Sequence, residues 1–161
     1  RRTCQLWLIQ GGKETLLSLE QDPHAPETWR LPLHWLEYLL TLPLYWQDDR
    51  TVVTHALIDR ASLQQLRRSE NRRQPMTHDS RQAYLAAQDK ALWNRRPIAR
   101  RVDDFREHIS GHTPVMALRY YAPVHALQID TGCVYGQHLS AYCAELQSVL
   151  SVPAAHKYTL S

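Results

Sequence analysis

Apolar positions recur at helical spacing over residues 32–42, where Leu33, Leu36, Leu39 and Leu40 share one face, and Pro43 stops the run. Upstream, residues 4–20 carry two apolar patches around Gly11-Gly12 and read as strand or helix, turn, helix. The prolines of Asp22-Pro23-His24-Ala25-Pro26 mark a loop between them. Beyond Pro43 the period shortens. Leu44-Tyr45-Trp46 reads as a short strand, Gln47-Asp48-Asp49-Arg50 as a polar turn, and the β-branched Thr51-Val52-Val53-Thr54 as a strand that ends at His55. Residues 61–93 are polar and helix-prone, broken near Pro75. Strands are predicted again at 105–110, stopping at Gly111-His112-Thr113-Pro114, then at 124–129, at 139–145 and near 156–160.

Strands interleaved with helices early and strands alone late predict an α/β sandwich. The ends at His55 and Ser110 mark where a site is expected, because ligands collect where loops leave the strand tips of such sheets. A chain of 161 residues is long enough to bury a core, and we expect one domain over 1–161. No apolar run reaches the ~18 residues of a membrane span. The best candidate, 31–44, is interrupted by Pro32, His34, Glu37 and Pro43. The apolar stretch 6–9 is too short for a secretory leader, so the expectation is a cytoplasmic protein without a membrane partner. Residue 1 is arginine, not methionine, and is expected to lie inside a longer natural chain. Cys4, Cys133 and Cys143 are odd in number and lack CxxC spacing, so buried free thiols are expected rather than disulfides or a zinc ribbon. The net charge of +3 owes much to Arg67, Arg68, Arg72 and Arg73, a run that reads as a solvated face able to attract anions. No nucleic-acid partner is expected.

Two histidines share one context, in which an apolar strand runs into a turn that presents an imidazole. These are His55 in Val52-Val53-Thr54-His55-Ala56 and His112 in His108-Ile109-Ser110-Gly111-His112-Thr113-Pro114. Neutral imidazole is a common ligand for borderline metals, and a strand end holds it rigidly. Gly111 is expected to permit a sharp turn and Pro114 to restrict the chain after it. Either histidine, taken alone, could equally bond a backbone carbonyl. Their company narrows the reading. Ile129-Asp130-Thr131-Gly132 follows shortly after the GHTP segment, Leu92-Trp93-Asn94-Arg95 lies between the histidines, and the Gly11-Gly12 segment and the helix ending in Leu42-Pro43 precede both. In that order, over about residues 5–146, these pieces resemble the calcineurin-like metallophosphoesterases, in particular the bacterial and phage phosphoprotein phosphatase branch.

The resemblance implies a C-terminal part of a metallophosphoesterase α/β sandwich, with a mostly antiparallel sheet and flanking helices. It implies a hydrolase, a metal-binding serine/threonine protein phosphatase whose complete form holds two divalent ions (Mn²⁺, or Fe, Zn or Ni). His55 and His112 match the histidines that bind the second metal. Arg95 matches the arginine that grips the substrate phosphate, a task suited to the guanidinium fork. Leu92 and Trp93 are expected to bury and aim it. Asp130 matches the aspartate of the family's IDTG motif and is expected either to orient a histidine or its turn, or simply to cap a turn.

There are two departures. The family's HAG is His55-Ala56-Leu57 here, and a leucine beside the site could crowd substrate or force another backbone turn. The early motifs that supply the bridging aspartate, the first metal's ligands and the catalytic histidine are absent, and Thr77-His78-Asp79 reads as surface. Two cations at close range need a shared carboxylate, and two imidazoles fall short of the ~3–4 protein ligands of a closed site. The expectations are therefore a phosphomonoesterase whose N-terminal segment lies elsewhere and whose partner is a phosphorylated substrate. The alternatives are a catalytically inactive binding module, a dinucleoside polyphosphate hydrolase, or an unrelated α/β domain.

Overall fold

The computed structural model describes residues 2–71 and 74–158 and divides into two compact units, Arg1–Leu42 and Pro43–Ser161. In the first, α1 (Arg2–Trp7) and α2 (Lys13–Ser18) are joined by a π-helical turn, Leu8–Gly12, so the ambiguous opening segment is helical. Gly12 lies under the indole of Trp7, where any Cβ would collide with the ring. Trp7 in turn packs on Trp29 at 5.5 Å. The Gln21 amide clamps the backbone of Arg30 through both N–H and C=O, closing the proline-rich loop. Helix α3 (Leu33–Thr41) ends because Leu42 must adopt an extended backbone before Pro43. None of its residues is buried.

The second unit holds a five-stranded sheet and a separate hairpin. Strands β1 (Tyr45–Gln47), β2 (Thr51–Thr54), β3 (Glu107–Ser110), β4 (Arg119–Tyr121) and β5 (Ala126–Gln128) lie in the order β1-β2-β3-β5-β4. The expected mostly antiparallel sheet is corrected here. Only the outer pairs, β1 with β2 and β4 with β5, are antiparallel, whereas β2–β3 and β3–β5 run parallel. The physical reason is the connection. Helices α4 (Arg60–Glu70) and α5 (His78–Trp93) occupy the crossover between β2 and β3, and a crossover returns the chain in the same direction. Periodicity locates strands but carries no information on their pairing. Strands β4 and β7 (Ser148–Pro153) were not expected, and β7 pairs antiparallel with β6 (His138–Cys143). Residues 156–158 are not a strand, and 159–160 lie outside the described residues.

One sheet face is covered by α4 and α5. Val52, Ile58, Leu63, Leu66, Ala87 and Ala91 form its core. Asp59 caps α4 by accepting from Ser62 N–H (2.8 Å) and receives the Lys90 ammonium of α5 at 2.6 Å, which ties the two helices at that end. Of the basic run, Arg67 is spent on Asp103 at 2.8 Å and on Gln47, Arg68 is exposed, and Arg72 and Arg73 lie outside the described residues. His78 and Asp79 are exposed at the start of α5, as expected for surface. The three cysteines are free but only half-buried. Among the described residues no helix is long and apolar enough to cross a membrane.

Leu66 is 1% exposed at the centre of this core. Leu66→Ala is expected to lower unfolding free energy by about 2–5 kcal/mol in urea denaturation. A loss below about 1 kcal/mol would mean that the helices do not rest on the sheet through this residue.

Candidate metal centre

Parallel pairing decides the geometry. Thr54 stands opposite Ser110, so β2 and β3 end at the same edge, and Gly111 N–H continues the ladder to His55 C=O at 2.9 Å. His55 is itself exposed, but Thr54, Ala56, Leu57 and Ile58 around it are buried. Its backbone is therefore fixed while its ring reaches outward. Ala56 N–H bonds Ala91 C=O at 2.8 Å, which fastens this turn to the last turn of α5.

The strained residue of the second turn is His112, not Gly111. His112 has φ +65°, and Thr113 N–H bonds Gly111 C=O at 2.8 Å across it. That closes a γ-turn of the rarer, positive-φ form. A non-glycine residue there costs on the order of 1–3 kcal/mol, and such strain concentrates at functional sites. Gly111 has no positive φ, and a Cβ on it would meet only Asp130 Cβ at 3.6 Å and His55 O at 3.7 Å. The expected reason for glycine at 111 therefore finds no support.

The two turns bring the imidazoles together although 57 residues separate them. His55 Nε2 lies 3.1 Å from His112 Nδ1, with ring centroids 4.8 Å apart. Neighbouring nitrogens around an ion with ~2.0–2.1 Å bonds stand about 2.9–3.4 Å apart between octahedral and tetrahedral arrangements. The pair fits one divalent cation, and without one a single N–H···N bond satisfies it. The remaining nitrogen of His112, Nε2, is buried, so this ring can offer an outside ligand only Nδ1. Burial lowers the His112 pKa, the nearby charges of Arg95 and His55 act in the same direction, and the Trp93 backbone and Asp130 oppose them. A lowered pKa keeps the ring neutral, the form that ligates metal.

Asp130 is half-buried. Its carboxylate accepts from Gly132 N–H at 3.0 Å and its carbonyl from Val115 N–H at 2.9 Å. It thus caps its own turn and binds the two motif segments side by side, while its charge reaches His112 through space. Arg95 follows α5, is exposed, and makes no ion pair or side-chain hydrogen bond among the described residues. Its charge is among the causes that lower the His112 pKa, but Arg95 does not line the cleft over the histidine pair and instead lines a separate cavity with Leu57 and Thr113. The expected burial of Leu92 and Trp93 does not hold. Leu92 is half-buried, and Trp93 is 57% exposed with its ring edge-on to His112 at 5.8 Å. Asn94 anchors Arg95 instead, donating to Leu57 C=O at 2.7 Å and Arg96 C=O at 3.0 Å while accepting from Arg96 N–H at 3.1 Å. Its position at a helix end beside the arginine was the available signal.

Sequence reasoning also missed the support beneath His55. Thr54 Oγ1 donates to Ala56 C=O at 2.6 Å and meets His108 Nε2 at 2.7 Å. The single hydroxyl proton is committed to Ala56, so His108 donates through Nε2 and leaves Nδ1 buried and unpaired. The cleft over the histidine pair has a volume of about 350 Å³, and Asp130, Cys133, His138 and Ser140 also line it. No group of three or more His, Cys, Asp or Glu side chains placed to hold one ion occurs among the described residues. No family model and no curated protein matches the chain.

Burial pushes the His108 pKa down from 6.5 to about 4. The unfolded chain then binds a proton that the folded one refuses between these values, so stability is full above pH 6.5 and falls as pH drops toward 4. The loss attributable to His108 is about 3 kcal/mol at most. Urea denaturation of wild type and His108→Gln at pH 7 and pH 4.5 is expected to show a smaller acid loss in the variant. Equal losses would remove His108 from the pH dependence.

Proposed function

We propose that this chain carries part of the centre of a metal-dependent phosphatase that hydrolyses phosphate monoesters, with phosphoserine or phosphothreonine in proteins as the substrate class. The observation that carries the reading is the 3.1 Å approach of His55 Nε2 to His112 Nδ1 at a shared strand edge. The strained turn that presents His112 and the unengaged charge of Arg95 nearby also support it. In this reading His55 and His112 would hold one divalent ion, and the chemistry such an ion would supply there is Lewis-acid charge for a phosphoryl oxygen and a bound water. Arg95 grips two phosphate oxygens through its fork and orients the ester. Asp130 keeps the GHTP turn beside its own, and Trp93 shields one edge of His112 from water.

The ligand set among the described residues stops short of a closed site, and in this reading carboxylates from a further segment of the same domain would have to complete it. The same shortfall favours one other reading, a metal-poor binding module that keeps the scaffold.

Calorimetric titration of the 161-residue chain with Ni²⁺ or Zn²⁺ is expected to show one weak site that disappears in His55→Ala and in His112→Ala and weakens as pH falls. Hydrolysis of p-nitrophenyl phosphate with Mn²⁺ is expected to be absent. Robust Mn²⁺-dependent turnover would mean that the chain holds a complete centre, and metal binding untouched by both variants would sink the histidine assignment. In the polypeptide that supplies the missing ligands, Arg95→Ala should lower kcat/KM by about 10²-fold and Arg95→Lys should recover only part of it. Unchanged turnover in both would remove Arg95 from the phosphate site.

A further inference from the structure

Leu57, the departure from the family pattern, neither crowds the histidine pair nor distorts its turn. Its φ is not positive, and it is only 7% exposed because it packs with Val124, Ala126, Ile98 and Tyr121. It forms a wall of a second, smaller cavity of about 130 Å³ that Arg95 and Thr113 also line. Two of these three residues adjoin the candidate centre in the chain, and the third acts on it through its charge. Leu57 lies two residues after His55, Thr113 follows His112, and Arg95 is the cation acting on His112. The rest of the lining includes the aliphatic groups of Pro97, Ile98, Val124 and Ala126. Besides Arg95, its large polar side chains are Tyr121 and Gln128, and Tyr121 Oη donates to Gln128 Oε1 at 2.7 Å. The Tyr121 ring also carries the Arg119 guanidinium at 4.7 Å, a second positive charge close to the cavity wall.

We propose that this cavity is a subsite for one compact apolar group esterified to the phosphate that Arg95 grips, an aliphatic or single-ring group, with Leu57 setting its depth. The proposal rests on the phosphate-binding reading of Arg95 given above and adds the leaving-group class. Volume supports it. A buried apolar cavity of ~150 Å³ accepts benzene, whereas drug-sized ligands need about 300–1,000 Å³. Chemistry supports it as well. Tyr121 Oη and Gln128 Oε1 are paired to each other, and Leu57, Pro97, Ile98, Val124 and Ala126 give the walls a largely apolar surface that receives a hydrocarbon group without loss. Burial of a ring or branched aliphatic there adds affinity that inorganic phosphate cannot gain.

The probe is phenylphosphonate, a non-hydrolysable aryl analogue, titrated into the whole chain beside inorganic phosphate and 1-naphthylphosphonate. Methyl and guanidinium NMR signals report the contacts. Phenylphosphonate is expected to move the Leu57, Ile98 and Val124 methyl signals together with Arg95, and to bind about tenfold tighter than phosphate or more. Phosphate should move Arg95 alone. Leu57→Ala should shift preference toward the naphthyl ring, and the milder Leu57→Val should do so to a lesser degree if the alanine variant unfolds. Arg95→Gln should weaken both phosphonates. The proposal is overturned if the ring leaves those methyl signals unmoved, or if phosphate and phenylphosphonate bind equally. Ring binding without Ni²⁺ uptake by His55 and His112 would keep the subsite and reject the metal centre. Ni²⁺ uptake without ring contacts would do the reverse.

Discussion

Parallel pairing of β2 with β3 is the constraint on which the site depends. It sets two strand ends at one edge, so that the first residue past β2 and the second past β3 meet across 3.1 Å. An antiparallel pair would have carried the same histidines to opposite ends. The crossover that permits parallel pairing is the α4–α5 helical hairpin, and its apolar side supplies the core that covers the sheet. The same residues thus account for stability and for the geometry of the site. The end of α5 adds a direct link, because Ala91 C=O holds the His55 turn and Asn94, just beyond the helix, holds the carbonyl of Leu57.

Around that edge, strain and unsatisfied polarity concentrate. His112 takes a left-handed backbone, and His108 Nδ1 and Ser110 Oγ are buried without partners. Each such group costs free energy in the folded state and persists only because its neighbours are over-determined by packing and ladder bonds. The cost lies with residues that aim or support the two imidazoles. The apolar cavity behind Leu57 is the complement of that polar edge. Arg95 lines that cavity, with its guanidinium unengaged among the described residues.

Much of the secondary structure was legible locally. Pro43 ending α3, Thr51–Thr54 as β2, a helix-prone stretch that runs to Trp93 and breaks near Pro75, and strands stopping before His55 and Gly111 all follow from propensity, period and breakers. Such features depend on neighbours along the chain, so the sequence by itself determined them, together with the choice of His55, His112, Arg95 and Asp130 as the residues worth watching. What only the tertiary structure decided has a common physical cause, which is that it depends on contacts remote in sequence. Strand direction follows from how a crossover packs, and it replaced the expected antiparallel sheet by a mixed one. The exposure of Trp93 follows from which face of α5 the sheet covers. The strain at 112 rather than 111 follows from a ladder bond to His55, and the roles of Thr54, Asn94 and His108 follow from polar groups meeting across the fold. Leu57 read as an intrusion beside a glycine-bearing motif, and the fold turned its side chain inward to build a cavity wall, because the apolar atoms able to receive it come from residues 98, 121, 124 and 126.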